Sequence, residues 1–498
     1  MPSSFTELVE YSRDLYALRS AMGLLSWDQE TMMPPKGGDG RARSMAALSR
    51  VVHQRFSHPR LADLLDRAQG ESLSPEQAAL VRELRRDRDK TVKVPEALAA
   101  EIASTVSLSQ RAWAEARPKN DKAAFNPWLE KVIALKRREA ECLGDGKNLY
   151  DALLDNYEPG ARAADLRVLL EGLRAELVPL LGRILEARGD RKDPLQGMEF
   201  PVGVQRLFNR QVLFDMGFDL EAGRLDESAH PFTEGVDPGD VRLTTRYSPE
   251  DLLSALFSTL HEGGHGLYEQ GFPSAWHGTP LGEAVSLGIH ESQSRIWENQ
   301  VGRSRDFWSH YYPALQTGFA PLASLSLEEF LKAANRVEPS LIRVESDEVT
   351  YNLHIVLRFE LETALFGGDL EAAGLESAWN EGMHRNLGVI PPDPASGYMQ
   401  DVHWSCGLIG YFPTYTLGNL RAAQLFAAAR RALPGLSEDI GRGRFGALKG
   451  WLAEKIHRHG RRFTGDELME KATGEKTSPA PFLAYLREKY SALYGVSL

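Results

Sequence analysis

The fold is decided by residues 249–270, which read PEDLLSALFSTLHEGGHGLYEQ. Apolar residues recur in this stretch at spacings of three and four, the period of an amphipathic α-helix. Ser248 and Pro249 place a capping hydroxyl before a first-turn proline, which is a helix-start signal. We therefore predict a helix over 249–270, with His261 and His265 one turn apart on the same face.

Helical periodicity extends over most of the chain. It is found at 5–25, 75–90, 95–116, 125–142, 164–188, 283–302, 327–336, 347–366, 408–431 and 445–459. Only 236–247 differs, because a turn signal at 237–239 is followed by alternating apolar and polar residues, typical of a strand. Loops rich in proline, glycine and aspartate are predicted at 33–40, 144–147, 189–194 and 389–397. The sequence thus predicts a mainly α protein with a small β-ribbon.

The composition narrows the class of protein. The chain has 498 residues, of which 42% are apolar and 26% are charged, as in ordinary soluble globular proteins. This length is enough for about three domains or for one large unit of several lobes. The formal net charge of −11 argues against nucleic acid or an anionic membrane as the main partner. With only Cys142 and Cys406, a disulfide framework is excluded.

The chain also lacks the sequence features of membrane proteins. No apolar stretch reaches the roughly 20 residues that a membrane-spanning helix needs. The first helical pattern carries charged residues and is not followed by a signal-peptide pattern. We therefore expect no membrane segment and a cytoplasmic location.

The motif that carries chemistry is HEGGH at residues 261–265, which fits the zinc-peptidase pattern H-E-x-x-H. Positions i and i+4 share one helix face, so the imidazoles of His261 and His265 can bind one Zn²⁺. Glu262 lies about 100° around the helix. There it can accept a proton from a water that the metal has acidified. The alternative, two surface histidines beside an acid, is disfavoured by the helical context.

A catalytic zinc site needs a third protein ligand and an open fourth position. His290 and Glu291 are the candidates, on the next helical pattern after His265. Adjacent helix positions point about 100° apart, so only one of the two is expected to bind. We favour Glu291, because two histidines and one glutamate are a known catalytic set, with His290 lining the site.

Gly263 and Gly264 are unexpected inside a helix. Each costs about 1 kcal/mol relative to alanine at an interior position. Either a backbone or a substrate approaches closely at these glycines, or two helices pack tightly there. The sequence favours neither explanation.

Further motifs extend along nearly the whole chain. They lie at 26–34 (SWDQETMMP), 150–158, 230–232 (HPF), 240–244 (DVRLT), 290–294, 342–343, 351–354 and 397–404 (GYMQDVHW). Together with HEGGH they make the chain resemble the carboxypeptidase Taq family of zinc metallocarboxypeptidases. The resemblance implies a large helical metallopeptidase fold with a deep central cleft. It also implies a single unit over 1–498, built of two helical lobes.

The resemblance also implies how such a protein works. It implies a cytosolic homodimer with one zinc ion per chain, which cobalt can replace, and peptide substrates with a free C-terminus. Single amino acids are expected to be released, with broad specificity and poor acceptance of C-terminal proline. His261, His265 and Glu291 would be the ligands and Glu262 the general base. Residues 240–244 are similar to the family segment that closes one end of the cleft.

An exopeptidase must bind the terminal carboxylate of its substrate. The planar fork of arginine suits this task, because it pairs with a carboxylate through two hydrogen bonds. We favour Arg343, which falls in the 342–343 motif, with Arg242 as the second candidate. His230 and His354 are further candidates for substrate contact, and a structural role is the alternative for each.

The reaction also needs a hydrogen-bond donor for the developing oxyanion. The candidates are Tyr411, Tyr415, His403 and His354, and the sequence does not rank them. Core packing is the alternative for each. Trp27 and Trp404 are expected in the core.

Two other functions share part of this pattern. An endopeptidase or a dipeptidyl carboxypeptidase would use the same zinc ligands but release different products. A metal-binding peptide carrier without turnover would not need Glu262, so the intact glutamate argues against it.

Overall fold

The computed structural model describes residues 3–144 and 147–498. Three described strands, β1 (Gly223–Glu227), β2 (Thr233–Asp237) and β3 (Asp240–Thr245), form the sheet. The described helices are α1 (Ser4–Thr31), α2 (Gly38–Ser57), α3 (Pro59–Gln69), α4 (Pro75–Lys93), α5 (Glu96–Ala116), α6 (Lys122–Leu143), α7 (Leu149–Leu154), α8 (Ala163–Arg188), α9 (Val202–Asp215), α10 (Leu252–Gln270), α11 (Leu287–Arg295), α12 (Arg305–Gly318), α13 (Leu327–Ala334), α14 (Thr350–Gly367), α15 (Leu375–Leu387), α16 (Pro413–Ala432), α17 (Leu436–Ile440), α18 (Gly446–Lys455), α19 (Gly465–Thr473) and α20 (Ala480–Tyr494). The mainly α fold with a small sheet is confirmed.

The chain divides into two compact units. Unit 1 comprises Met1–Val92, Asp193–Ala334 and Arg421–Thr477. Its central helix is α10, which is buried on nearly every side and packs against α9, α11 and β3. A second part of its core joins α1, α3 and α4, where apolar residues at spacings of mostly three and four form the inward stripe of each helix. Unit 1 therefore contains the HEGGH helix at the centre of its own core.

Unit 2 comprises Lys93–Lys192, Asn335–Leu420 and Ser478–Leu498. Its central helix is α14, whose residues are buried over almost its whole circumference. A helix that is buried all round lies in a core position. The neighbours of α14 include α7, α8 and α15. The prediction of one enzyme unit over 1–498 with two helical lobes is not tested by this division and stays a prediction.

The small sheet has the strand order β1-β3-β2. β3 pairs antiparallel with β2 across a turn at 238–239, within the turn predicted at 237–239. It pairs parallel with β1, which the sequence did not predict. One face buries Val241 and Leu243, and Leu243 packs where Gly266 of α10 leaves room. On the other face Arg242 lies over the ring of Trp27, with its guanidinium carbon 4.4 Å from the ring centroid. The predicted β-ribbon is thus a three-stranded sheet between α10 and α1.

Helix bounds differ from the sequence prediction at several ends. The 249–270 helix begins at Leu252, because the carboxylate of Asp251 caps it by accepting from the backbone N–H of Ser254. The predicted loop at 33–40 is wrong, since Pro35–Gly37 is 3₁₀-helical and α2 begins at Gly38.

The other predicted loops have different outcomes. Those at 189–194 and 389–397 contain neither helix nor strand, as predicted. Part of the predicted loop at 144–147, residues 145 and 146, lies outside the described residues. No helix in the described part of the chain is both long enough and apolar enough to cross a bilayer.

Candidate active site

The metal-ligand cluster consists of His261 and His265 on α10 and Glu291 on α11. The Nε2 atoms of the two histidines each lie 3.5 Å from Oε2 of Glu291. All three side chains are largely buried, and their candidate ligand atoms lie within 4.8 Å of one another. The helical spacing of four residues and the return of the next helix therefore produce the predicted convergence.

The donor set of this cluster fits a tetrahedral metal ion. Metal–nitrogen and metal–oxygen bonds of about 2.0–2.2 Å at tetrahedral angles separate two ligand atoms by about 3.4 Å. The two histidine–carboxylate distances of 3.5 Å match that separation. Two imidazoles and one carboxylate are also the donor set of known catalytic zinc sites. These residues could thus hold one zinc-like ion.

Protonation of the cluster also suits a cation. Burial and the neighbouring His290 lower the pKa of His265 to about 3, which keeps its imidazole neutral at physiological pH. Burial lowers the pKa of His261, but the carboxylates of Glu291 and Glu298 outweigh burial and raise it. A metal ion would displace that proton, because a histidine ligand must be neutral.

The two glycines of HEGGH serve close packing. A Cβ on Gly264 would lie 2.5 Å from the carbonyl oxygen of Gln293 and 2.7 Å from the Cα of Ser294. The backbone of α11 therefore passes directly over Gly264. A Cβ on Gly263 would instead meet the flexible side-chain ends of Leu213 and Met216, both at 2.9 Å. Of the two explanations left open above, close helix–helix approach is the one observed.

His261 is oriented by a carboxylate on its second ring nitrogen. Its Nδ1 lies 2.8 Å from Oε2 of Glu298. Glu298 belongs to a π-helical segment, Ile296–Val301, that directly continues α11. Burial raises the pKa of Glu298, but Arg295 and His261 outweigh it and lower the pKa to about 2. A carboxylate in this position fixes the tautomer of a metal-binding histidine and raises its basicity.

His265 is oriented by a different partner. Its Nδ1 lies 2.5 Å from Nδ1 of His290, whose Nε2 in turn lies 2.7 Å from Oε1 of Glu269. His290 therefore contacts His265 on the ring nitrogen that faces away from the cluster. Its own nitrogen atoms are not among the converging ligand atoms. This placement agrees with the preference for Glu291 over His290 as the third ligand.

Glu262 lies beside the cluster, as its helix position predicts. Oε2 of its carboxylate accepts a hydrogen bond of 2.7 Å from the hydroxyl of Thr233 on β2. Burial raises the pKa of Glu262 above its ordinary value. A buried carboxylate with a raised pKa, fixed beside a metal site, has the properties of a general base.

The arginine cluster lies in unit 2 and consists of Arg343, Arg358 and Asp401. Arg343 donates to Asp401 through Nη2 at 2.8 Å and through Nε, and Nη1 donates to the hydroxyl of Tyr351 at 2.7 Å. Arg358 is fully buried and donates to the same aspartate through Nε at 2.8 Å. Burial raises the pKa of Asp401, but the two arginines outweigh it and lower that pKa far below its ordinary value.

Aromatic and imidazole candidates surround this cluster. Nε2 of His403 lies 3.1 Å from the hydroxyl of Tyr415, and the ring of Tyr411 lies 5.4 Å from the His403 ring. The guanidinium of Arg343 lies 5.0 Å from the centre of the Tyr415 ring. Burial and then the charge of Arg343 lower the pKa of His403 to about 3, so its imidazole is neutral. Unit 2 thus brings four of the predicted residues together.

Three other predicted residues are placed less favourably for substrate contact. The guanidinium of Arg242 is paired with Asp240 through hydrogen bonds of 2.7 and 2.8 Å. His230 is exposed on the segment before β2. His354 is fully buried, and its carbonyl accepts a hydrogen bond from Arg358 at 2.8 Å. The contact of His354 with substrate stays a prediction.

Sequence reasoning missed the residues that support the proposed ligands and base. These are Thr233, Glu269, Arg295 and Glu298. Arg358 and Asp401, which lie beside Arg343, were missed as well. The helical spacing from Glu291 to Arg295 is a signal that could have found the arginine, because residues four apart are neighbours on a helix. Thr233 offers no comparable signal, since it reaches Glu262 only through the folding of β2 beside α10. The expectation that Trp27 and Trp404 lie in the core is confirmed, since both are buried.

Comparisons with known proteins identify the family of the chain. Residues 7–490 match the family model described as carboxypeptidase Taq (M32) metallopeptidase. Thermostable carboxypeptidase 1 of Thermus thermophilus is 49% identical over 99% of both chains, and its Pyrococcus furiosus namesake is 40% identical over 97% of both. The crystal structure of the M32 carboxypeptidase of Deinococcus radiodurans R1 has a TM-score of 0.96 at 42% identity, covering 99% of this chain and 100% of the other. The chain therefore belongs to the carboxypeptidase Taq (M32) family of metallopeptidases.

Proposed function

We propose that the chain is a metal-dependent carboxypeptidase that releases single amino acids from the C-terminus of peptides. The observation that carries this proposal is the metal-ligand cluster with Glu262 fixed beside it. A bound metal would supply a Lewis acid that acidifies a water and polarises the scissile carbonyl. Held by Thr233, the carboxylate of Glu262 accepts the proton of the attacking water and then passes it to the leaving amine.

The arginine cluster supports binding of the terminal carboxylate. Two guanidinium groups share the single carboxylate of Asp401 in a buried place. A buried charge without a partner is costly, so such a cluster is suited to receive an anion. Arg343 has five N–H donors, and among the described residues only Asp401 and Tyr351 receive hydrogen bonds from its side chain. Donors are therefore left on both terminal nitrogens, and we assign Arg343 to the substrate carboxylate.

Roles are also proposed for the other candidate residues of the two units. His403, Tyr411 and Tyr415 are proposed as the donors to the oxyanion, because a neutral imidazole and two phenols lie together there. Arg242 and His230 are proposed to line the substrate site near the sheet. The family resemblance further supports zinc, with cobalt as a substitute, a cytoplasmic homodimer, broad specificity and poor acceptance of C-terminal proline. These finer properties are part of the proposal.

A mass-spectrometric time course on one unstructured ten-residue peptide tests the proposal. Half of the peptide has a free C-terminus and half a C-terminal amide, and zinc is supplied to both. We expect stepwise loss of single residues from the free form only, and the Glu262→Gln variant is the inactive control. Internal cuts or loss of dipeptides would point to an endopeptidase or a dipeptidyl carboxypeptidase. An unchanged peptide with metal bound would point to a peptide carrier without turnover.

A further inference from the structure

Arg295 touches the metal-ligand cluster from outside, and the ligand set alone gives it no role. Its Nε donates to Oε1 of Glu291 at 2.7 Å, and its Nη1 donates to Oε2 of Glu298 at 3.0 Å. The two carboxylate oxygens of Glu291 thus have different partners. Oε2 faces both ligand histidines at 3.5 Å and also accepts from the hydroxyl of Ser294 at 3.1 Å.

A carboxylate can bind a metal through one oxygen or through both. If Glu291 used both oxygens, it would take up a coordination position that a water or a substrate carbonyl needs. Resting on the metal site of the proposed function, we propose that Arg295 is a positioning residue that holds Oε1 of Glu291 away from the metal. Glu291 then binds through Oε2 alone, and the coordination positions for water and substrate stay open.

The contact of Arg295 with Glu291 differs from an ordinary i, i+4 ion pair. Such pairs on exposed helix surfaces contribute little to stability and hold no fixed geometry. Here the two side chains are only 14% and 8% exposed. The planar guanidinium also cannot turn freely, because its second nitrogen is held by Glu298. The direction of the Nε–H bond towards Oε1 is therefore fixed by two carboxylates.

The guanidinium of Arg295 also acts on a second ligand, His261, through Glu298. Glu298 holds Nδ1 of His261, so Arg295 braces both His261 and Glu291. A cation this close to a divalent metal opposes metal binding by Coulomb repulsion. Its presence is therefore better explained by orientation of the ligands than by a gain in metal affinity.

Cobalt substitution measures the coordination number directly. The visible d–d absorption of protein-bound Co²⁺ weakens as the coordination number rises, because the ligand field becomes more centrosymmetric. In Arg295→Met, Oε1 of Glu291 loses its donor and can turn to the metal. We expect one Co²⁺ per chain, a clearly weaker visible absorption than in the unsubstituted enzyme, and kcat at least tenfold lower. Arg295→Lys keeps a donor for Oε1, so it should restore most of the absorption.

Arg303→Met is the matched control. Arg303 also approaches Glu298, with Nη2 3.7 Å from Oε1, and it stacks over the ring of Phe257. Its substitution leaves the hydrogen bond from Arg295 to Oε1 of Glu291 in place. This variant removes the same charge from the same network. Its cobalt spectrum should therefore equal that of the unsubstituted enzyme.

The unsubstituted enzyme offers a test that does not depend on whether a variant folds. A crystal structure of the zinc-loaded protein should show Oε2 of Glu291 at bonding distance, about 2.0–2.2 Å, and Oε1 outside it. Two carboxylate oxygens at that distance would overturn the proposal, and so would an unchanged cobalt spectrum in Arg295→Met at full occupancy. Failure of the unsubstituted enzyme to bind any metal would instead overturn the proposed function.

Discussion

The metal-ligand cluster of unit 1 and the arginine cluster of unit 2 are both buried and charged, but they are built in opposite ways. Neutral or anionic ligand atoms converge in the first and leave a place for a cation. Two guanidinium groups meet around one aspartate in the second, which favours an anion. Several supports of the first are local: Ser294, Arg295 and Glu298 lie three to seven positions after Glu291 on the same helical segment. The second joins Arg343 to an aspartate 58 residues further along the chain.

The two halves of the proposed reaction are therefore separable. The ligand atoms and supporting contacts of the metal-ligand cluster lie entirely within unit 1, and those of the arginine cluster entirely within unit 2. A substitution in the first should therefore change metal binding or chemistry without changing recognition of a C-terminal carboxylate. A substitution in the second should do the reverse.

Glu262→Gln is expected to have the largest effect. The substitution removes the base but keeps the shape, and general bases contribute about 10²–10⁴-fold to rate. We expect kcat to fall at least about 10³-fold. Metal content by mass spectrometry should stay at one per chain, because Glu262 is not among the converging ligand atoms. Activity near that of the unsubstituted enzyme would show that another group is the base.

Arg343→Met should weaken recognition of the substrate's C-terminal carboxylate by the arginine cluster. Truncating one partner of a buried charge-assisted contact typically costs 2–5 kcal/mol, so kcat/KM for peptides with a free C-terminus should fall about 100-fold or more. Hydrolysis of the amidated peptide, already slow, should not fall further. Zinc affinity, measured by competition with a chelating dye, should be unchanged. Equal losses on both peptides would mean that Arg343 does not read the carboxylate.

Glu362, behind the arginine cluster, predicts a pH dependence of stability. Its carboxylate accepts hydrogen bonds from Trp404, Tyr150 and the backbone N–H of Gly410, yet burial outweighs these donors and raises its pKa to about 7. Between pH 4.5 and 7 the folded state then binds more protons than the unfolded state. The free energy of unfolding should therefore decrease as pH rises through this window, by an amount on the order of 3 kcal/mol.

Glu362→Gln isolates this contribution. Subtracting the unfolding free energies of the variant from those of the unsubstituted protein, each measured by urea denaturation at pH 5 and pH 8, removes the contributions of other groups. The difference should be smaller at pH 8 than at pH 5. A difference that does not change with pH would mean that the folded-state pKa of Glu362 is not raised.

Gly264→Ala and Gly263→Ala form a matched pair in the metal-ligand cluster. The methyl group at position 264 would press on the backbone of Gln293 and Ser294 and push α11 away from α10. Overpacking of this kind costs about 1–3 kcal/mol. Because α11 carries Glu291, we expect Gly264→Ala to weaken zinc affinity by about tenfold or more. Gly263→Ala meets only the side-chain ends of Leu213 and Met216, so its zinc affinity should change less. Equal affinities in the two variants would contradict the close-approach explanation.

Much of the metal-ligand cluster could be predicted, because the directions of side chains on one helix depend only on their spacing in the sequence. The spacing of His261, Glu262 and His265 fixes their relative directions once the helix is known. Rotation of about 100° per residue indicated that only one of His290 and Glu291 would bind. The known catalytic set of two histidines and one glutamate then favoured Glu291. The start of α10 was missed by three residues, since the capping carboxylate of Asp251 replaced the hydroxyl expected at Ser248.

The rest depends on contacts between distant parts of the chain, which a single sequence does not encode locally. Arg343 was chosen for its motif, but its pairing with Asp401 and the sharing of that aspartate with Arg358 had no local signal. The parallel pairing of β1 with β3 and the π-helical turn that presents Glu298 are further cases. In each of them tertiary packing decides the geometry.

Substitution of Thr233 should have the smallest effect on activity, and it tests how the carboxylate of Glu262 is positioned. Its hydroxyl donates to the carboxylate of Glu262 at 2.7 Å, from a strand that the metal-ligand cluster does not otherwise use. Thr233→Val keeps the shape and removes only this donor, so Glu262 should lose its fixed orientation. We expect kcat to fall about tenfold, the size of one hydrogen bond to a charged group, with KM and zinc affinity unchanged. Thr233→Ser retains the hydroxyl and should recover most of kcat, whereas a serine variant as slow as the valine variant would show that packing of the methyl group, not the hydrogen bond, positions the base.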